Sequence, residues 1–330
     1  MHKTNSSIFK ISLLLILGCC FFVSSAQQNP GLSLYAFHPS YANAASVGLN
    51  GASFVQVHYR NQWTQYQSTY DGSGNLGTQI ASVGLGFEDL NAGVGLQYVN
   101  DLTPSGAGLQ WLQTQWAYHL PVGLGTFSAG LNVGMVSKSY DGRTFRIREP
   151  NDPLAQELNG KLIAKTSVDL GIGAMYAKDS WQIGLQVHHL NSPSFAFSTA
   201  VEKVQLNPMV QLNAGAEFPI VEQVSLHPFT QIRYYQGQLI GDVGMRVMVA
   251  KMFWVGGNYR SDDAISGLFG FSVLKNQLDF GYAIDQTISS QTLKAPLSHE
   301  LFIRFNLPNL SLKFRSTKDL PVNTPRFKIN

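Results

Sequence analysis

The chain has 330 residues, of which 44% are hydrophobic and only 13% charged, where ordinary globular domains carry about 25% charged residues. Its formal net charge is +3, and setting aside Lys3 and Lys10 of the leader leaves 21 basic against 20 acidic residues. That balance excludes a bulk electrostatic case for nucleic acid. Both cysteines, Cys19 and Cys20, fall in the leader, so the rest of the chain has no disulfide staple, thiol nucleophile or zinc thiolate.

The N-terminus reads as a secretory signal over 1–26. Lys3 and Lys10 supply the charged start, 11–23 the apolar stretch, and Ser24-Ser25-Ala26 the small residues for cleavage, so that Gln27 begins the exported chain. The apolar stretch is shorter than the roughly 20 residues a spanning helix needs. A competing reading is lipidation at Cys19, because Ile16-Leu17-Gly18-Cys19 loosely fits a lipoprotein cleavage sequence, although Leu17 fits poorly before Gly18.

From residue 53 onward the pattern is alternation. In 181–188, Trp181, Ile183, Leu185 and Val187 form one face, and Gln182, Gly184, Gln186 and His188 the other. Successive side chains of a strand point to opposite faces, so this is one apolar wall and one polar wall. Such runs predict strands at 53–63, 79–87, 91–99, 109–119, 125–137, 166–176, 180–188, 208–218, 224–235, 238–249, 252–260, 264–273, 277–285 and 299–307. The alternation slips in 109–119, 224–235 and 238–249, and Phe302 is a misfit on the polar face of the last strand. Most runs have the roughly 9–11 residues that a tilted strand needs to cross a bilayer, more than the 5–6 usual in sandwiches.

Connection lengths separate a membrane barrel from a soluble sandwich. Joins after even-numbered strands are all short. The long ones, 64–78, 100–108, 138–165, 189–207 and 286–298, all follow odd-numbered strands. Barrels have tight periplasmic turns and longer external loops, whereas Greek-key crossings have no reason to sort loops this way. The expected fold is all-β: a transmembrane antiparallel β-barrel of about fourteen strands, with both barrel ends at the periplasmic rim. The expected divisions are a signal peptide 1–26, a periplasmic N-terminal segment 27–50, the outer-membrane barrel 51–307, and a basic periplasmic tail 308–330 holding Lys313, Arg315, Lys318, Arg326 and Lys328 against Asp319.

Several short motifs, in order, resemble one family. The stretch from Gln27-Gln28-Asn29-Pro30 to Tyr35-Ala36-Phe37-His38-Pro39-Ser40-Tyr41-Ala42-Asn43 is similar to the opening of the PorP/SprF family of type IX secretion system membrane proteins. Tyr59-Arg60-Asn61-Gln62-Trp63 resembles its Y-R-x-Q-W, and the stretch from Trp254 through Tyr259 and Arg260 to Ala264 its W-x-G-x-x-Y-R-x-x-D-A. Gly281-Tyr282-Ala283-Ile284-Asp285 resembles G-Y-x-Y-D, and Ser298-His299-Glu300 the S-H-E of the last strand. The sequence departs at His38, where the family usually has Asn, at Ile284, which replaces an aromatic, and in the tail beyond 308. The resemblance implies an outer-membrane barrel tied to gliding motility and to export of large surface proteins such as adhesins. It implies outer-membrane lipid, other type IX components and a large secreted surface protein as partners. The residues that carry it are Pro39, Tyr41, Tyr59, Arg60, Gln62, Trp63, Trp254, Tyr259, Arg260, Tyr282, Asp285, His299 and Glu300.

Physically, His58, Arg60 and Gln62 share the polar face of the first strand, and buried charges are rarely left unpaired. Arg60 and Arg260 are therefore expected to pair with carboxylates such as Asp263 and Asp285, with solvated rim charges as the other reading. A role in pinning register or a loop is expected for His299-Glu300. No catalytic set, metal site or cofactor site stands out: His188-His189 has no carboxylate cluster near it in sequence. Gly84-Leu85-Gly86, Gly93-Val94-Gly95 and Gly171-Ile172-Gly173 lie in strands with no helix following, so they fail as nucleotide loops and are read as keeping the lumen face small. The expected function is a non-enzymatic secretion component. The alternative is a general porin or small-solute transporter; a lumen face of mostly Gln, Asn, Ser and Gly rather than rings of one charge argues against an ion-selective pore.

Overall fold

The computed structural model describes residues 29–64, 76–103, 107–143, 160–197, 203–288 and 296–308. The signal-peptide stretch 1–26, most of the loop with Arg146, Arg148, Glu149, Asp152 and Glu157, and the tail beyond Pro308 lie outside them. Seventeen strands are present among the described residues: β1 Ser53–Gln62, β2 Leu76–Phe87, β3 Ala92–Leu102, β4 Ala107–Val122, β5 Gly125–Asp141, β6 Leu162–Lys178, β7 Trp181–His188, β8 Ser194–Phe195, β9 Val204–Gln205, β10 Met209–Ala216, β11 Phe218–Val221, β12 Val224–Tyr235, β13 Gln238–Val249, β14 Phe253–Arg260, β15 Ala264–Val273, β16 Leu278–Thr287 and β17 Leu297–Leu307. β8 and β9 form a separate small hairpin inside a loop.

The remaining strands form one closed antiparallel sheet. Each pairs with its neighbours in sequence, and β1 pairs with β17 from Ser53↔Leu307 to Asn61↔His299. β10 and β11 both pair with β12 and are two pieces of one interrupted strand. The wall is thus a 14-strand up-and-down barrel, closed on itself except along the short piece β11, which pairs with β12 alone. The interruption falls opposite His227 and Pro228, between the pairs Gly215↔Phe229 and Phe218↔Leu226. Proline has no N–H to give to a ladder.

The faces are inverted relative to a soluble protein. Val57 is 48% exposed and Phe269 53%, and Leu112, Trp116, Val243 and Val255 also point outward, while Gln56, Gln115, Gln186, Asn258 and Glu300 are buried inside. An outer wall of this kind is stable only against lipid. β4, β5 and β6 run 16–17 residues, longer than expected from the sequence. At about 3.3 Å per residue they overshoot the hydrocarbon layer. Residues 138–141 and 162–165, read from the sequence as loop, are strand.

Short turns gather at one end. Several need left-handed backbone at residues other than glycine, such as Ala250 and Lys251, both at φ 53°. Paired positive φ values are what a tight turn needs to follow the twist of its strands.

The segment 27–50, expected as a periplasmic N-terminal segment, has its described part packed inside the lumen. Residues 29–52 fold as short turns, Tyr35–Phe37, a one-turn helix α1 at Pro39–Ala42, Ala44–Ser46 and Leu49–Gly51. Leu32, Leu34, Tyr35, Ala44, Ala45 and Val47 are almost wholly inaccessible there. The physical reason is that an unfilled 14-strand barrel would leave its inner aromatics, Trp111, Trp254 and Phe302, in water. The segment gives them partners.

Placing Arg at position 57, on the lipid face midway along β1, should destabilise the barrel by about 2–4 kcal/mol. Urea unfolding in lipid vesicles, followed by the loss of heat-modifiable gel migration, measures this. Unchanged stability would mean that this face does not contact lipid.

Candidate functional site: the lumen clasp

The segment 29–52 runs from the long-loop half of the lumen to the short-turn end, where it joins β1. Its local shape is written in its residues. Pro39 occupies the first turn of α1, where its preset φ and missing N–H do no harm. The Asn43 side chain accepts from the Ala45 N–H at 2.9 Å and starts the next turn. Gly48 takes φ 73° in contact with the wall.

A non-helical segment inside a barrel carries backbone groups that need partners. Side chains of the wall supply them. Glu300 accepts from the Ser33 N–H at 2.8 Å and the Leu34 N–H at 2.7 Å. Gln115 Nε2 donates to the Ser40 carbonyl at 2.7 Å, and Gln211 Nε2 to the Ala42 carbonyl at 3.1 Å. Gln186 Oε1 accepts from the Ala44 N–H at 3.1 Å, and His119 Nε2 lies 3.0 Å from the Val47 carbonyl. His38 Nε2 meets the Ser82 hydroxyl at 2.9 Å. The polar inner face is therefore a binding surface for the protein's own N-terminal segment.

Glycines give the segment its room. A Cβ at Gly93 would sit 2.0 Å from the Val47 carbonyl oxygen, and one at Gly130 2.2 Å from the Ala45 nitrogen. The glycine pairs in the strands thus keep the lumen face small to admit a second chain segment against the wall.

A buried ionic cluster closes on Ser33. Arg60 Nη1 lies 2.7 Å from both Asp285 Oδ2 and Glu300 Oε2, and His58 Nε2 is 2.9 Å from Glu300 Oε1. Across the segment, Arg260 Nε donates to Asp242 Oδ1 at 2.7 Å and Nη1 to Asp263 Oδ2 at 3.2 Å. Arg233 Nη2 reaches Asp242 Oδ2 at 3.1 Å. The Ser33 hydroxyl donates to Asp285 Oδ2 at 2.9 Å and accepts from Arg60 and Arg260, each at 3.3 Å. The lumen is thus not uncharged, as the sequence suggested. Three guanidiniums and four carboxylates meet there, and each is paired with opposite charge as buried groups must be.

An aromatic anchor lies below the cluster. Phe37 stacks on Trp254 at 4.2 Å, sits 5.1 Å from Phe302, and carries the Arg246 guanidinium 4.2 Å from its ring centre. Phe302 breaks the alternation of β17 because its ring faces Phe37 rather than water.

The thirteen residues singled out from sequence divide by face. Pro39 and Tyr41 lie in the segment, where the Tyr41 hydroxyl donates to the Pro30 carbonyl at 2.9 Å. Arg60, Trp254, Arg260, Asp285 and Glu300 point inward and hold it. Tyr59 and Tyr259 are exposed on the outer wall, and the Tyr282 hydroxyl meets His299 Nδ1 at 2.5 Å. Gln62 ends β1, and the Trp63 N–H donates to the Ser298 hydroxyl at 3.0 Å. Sequence reasoning missed Ser33, Phe37, Arg233 and Asp242. A lone acid in the middle of β13 and the misplaced Phe302 were the available signals.

His189 is taken up by Asp169 at 2.9 Å and Asn29 at 2.9 Å. Among the described residues no group of three or more His, Asp or Glu side chains is placed to hold a metal ion.

The sequence model for "Type IX secretion system membrane protein PorP/SprF" matches residues 24–305. The chain belongs to this family. No curated protein matches it. Among solved structures it is similar to the toluene transporter TbuX of Ralstonia pickettii, at TM-score 0.49 and 12% identity over 82% of this chain and 93% of that one. It is also similar to Omp33 of Acinetobacter baumannii, at 0.46 and 7% over 78% and 98%, and to the translocator domain of the autotransporter NalP of Neisseria meningitidis, at 0.46 and 10% over 83% and 96%. The PorP/SprF motifs in this chain alternate outward aromatics with inward charges. Tyr59 precedes Arg60 and Tyr259 precedes Arg260.

Substituting Glu300 by Ala removes the acceptor for two backbone N–H groups, Arg60 and His58. Breaking one partner of a buried ionic cluster costs about 3–5 kcal/mol. Glu300→Ala should leave a barrel whose 29–52 segment is cleaved by protease in detergent, while the parent is resistant. Equal resistance would show that the clasp does not depend on Glu300.

Proposed function

We propose that this protein is a non-enzymatic outer-membrane component of the type IX secretion machine that supports export or surface retention of large cell-surface proteins such as adhesins. The observation that carries this reading is the filled lumen. A wall whose inner glutamines, serines and carboxylates are spent on holding residues 29–52 has little free lining for passing solutes. Two lumen cavities beside Asn29 and Tyr41 are only about 20 and 10 Å³, and a larger one of about 430 Å³ lies at the short-turn mouth. The surface left for partners is the long-loop end, raised by the extended β4–β6, together with the short-turn end.

In this reading the short turns and both ends of the barrel face the periplasm, and the loop between Asp141 and Leu162 faces outward, toward cargo. Other type IX components meet the periplasmic rim, and the basic tail 308–330 adds a positive strip there for an acidic partner. Trypsin added to intact cells should cut between 143 and 160, at Arg146 or Arg148, and spare Lys251 and Lys275 in the short turns. Cleavage at the short turns with the loop protected would reverse the orientation.

The porin alternative makes the opposite forecast in a deletion strain. Under the secretion reading the strain loses a specific surface protein, or sheds it into the medium, with small-solute uptake unchanged. Reduced solute uptake with an intact surface proteome would replace the secretion role by transport.

A further inference from the structure

The carboxylates of the lumen are not treated alike. Asp242, Asp263, Asp285 and Glu300 each meet an arginine, and Asp169 meets His189 and Gln113. Asp279, near the short-turn end, has a donor on each oxygen, from Ser272 and Asn306. Asp101 is different. It stands partly buried on the inner face of β3, two residues beyond Val99, and accepts one bond, from the Thr78 hydroxyl at 2.6 Å. Among the described residues its second oxygen has no donor, and no arginine or lysine lies within ion-pair distance. Arg60, in the same cross-strand row through Thr78, is taken by Asp285 and Glu300. Lys138, in the row through Leu109, lies over the Tyr140 ring at 5.9 Å. A carboxylate withdrawn from water with a single hydroxyl donor is short of a cation.

The start of the lumen segment comes to the same place. Asn29 lines a cavity of about 20 Å³ together with Val99 and Tyr41, and the Tyr41 hydroxyl holds the Pro30 carbonyl. β3 rises toward the long loops, so Asp101 lies about 7 Å beyond Val99 along the strand. An amine two residues before Asn29 has a reach of about 7 Å, which covers that distance. Cleavage of the leader makes such an amine. Water adds across the Ala26–Gln27 amide, a carboxylate stays on Ala26, and the Gln27 nitrogen becomes an α-ammonium. Capture of a chain's N-terminal amine by fixed acceptors is a known mode of recognition.

We propose that Asp101 receives the N-terminal ammonium that leader removal creates, and that this ion pair fixes the start of the lumen segment in the processed protein alone. The proposal rests on cleavage after Ala26 and not on the secretion role. A retained leader, or a lipid on Cys19, would leave no amine at Gln27.

The test is acetylation of the purified mature barrel by N-hydroxysuccinimidyl acetate between about pH 6 and 10, across the range where an α-amine titrates. Residues 27–60 hold no lysine, so acetylation of the tryptic peptide 27–60 reports the α-amine alone. A free α-amine loses its proton at about 7.7–8.0. Pairing with Asp101 should raise the midpoint by about 1–3 units, whereas burial without a partner would lower it. Asp101→Asn should bring the midpoint down by at least about one unit, while Asp179→Asn, at a short turn, leaves it unchanged. A parent midpoint at or below about 8, an unchanged midpoint in Asp101→Asn, or cyclisation of Gln27 to pyroglutamate, which removes the amine, overturns the proposal. If Asp101→Asn loses heat-modifiable migration, the parent profile decides alone, because pairing and burial move it in opposite directions. Intact mass separates the two premises. A mass other than that of residues 27–330 overturns the leader reading and the proposal with it, and the mass of 27–330 with an unshifted midpoint overturns the proposal alone.

Discussion

The constraint on which this structure depends is that the backbone of residues 29–52 must find hydrogen-bond partners inside a barrel. Backbone amides buried without partners cost roughly as much as lost hydrogen bonds. An irregular segment cannot satisfy its own. The wall therefore has to present a donor or an acceptor at particular positions, and Glu300, Gln115, Gln186, Gln211 and His119 do so. The same requirement explains the glycines. Where the segment presses against the wall, at Gly93 and Gly130, even a methyl group has no space. Polar side chains and glycines, which look like a generic hydrated lining, are the two halves of one fitted contact.

The ionic cluster around Ser33 contributes differently. Replacing a buried ion pair by apolar groups of the same size is often neutral or stabilising, whereas removing one partner is severe. The cluster is thus better understood as selecting one position of the segment than as adding net stability. Its geometry supports this. Arg60 and Arg260 approach the Ser33 hydroxyl from β1 and β14, far apart in the wall, and both reach it at 3.3 Å. A slip of the segment by one residue would take the Ser33 and Leu34 N–H groups away from Glu300 and the Ser33 hydroxyl away from Asp285. Phe37, held between Trp254, Phe302 and Arg246, fixes the same register through packing.

Much of the wall was legible because a strand buried on one face writes its environment as alternation. Trp181, Ile183 and Leu185 are outside and Gln186 and His188 inside, as their spacing required. Even 224–235 and 238–249, where alternation slips, are strands, since pairing with neighbours on both sides overrides a weak local pattern. The internal segment was not legible. Its partners surround it, so burial has no period, and a run of Gly, Asn, Ser and Pro reads as a linker. The charges of the clasp were visible one by one, but their convergence is a property of barrel closure. Arg60 and Glu300 are 240 residues apart and become cross-strand partners only when β1 meets β17. Phe302 carried the clearest hint, as an aromatic where the pattern demanded a polar group.

The filled lumen also bears on how a barrel of this size can work. Fourteen strands lie between the side-chain-filled 8-strand barrels and the open 16–18-strand porins, so strand number alone does not decide whether a channel exists. Here the question becomes energetic. Opening a path requires residues 29–52 to leave, and that takes the Ser33 and Leu34 N–H groups from Glu300, the Ser33 hydroxyl from Asp285, and Phe37 from Trp254 and Phe302. Each buried polar group left without its partner costs about 1–3 kcal/mol, so the emptied state is disfavoured. A barrel closed this firmly at rest is poorly suited to continuous passage of small solutes. It is well suited to act as a rigid body with two working ends, its inner segment fixing the shape of the short-turn mouth.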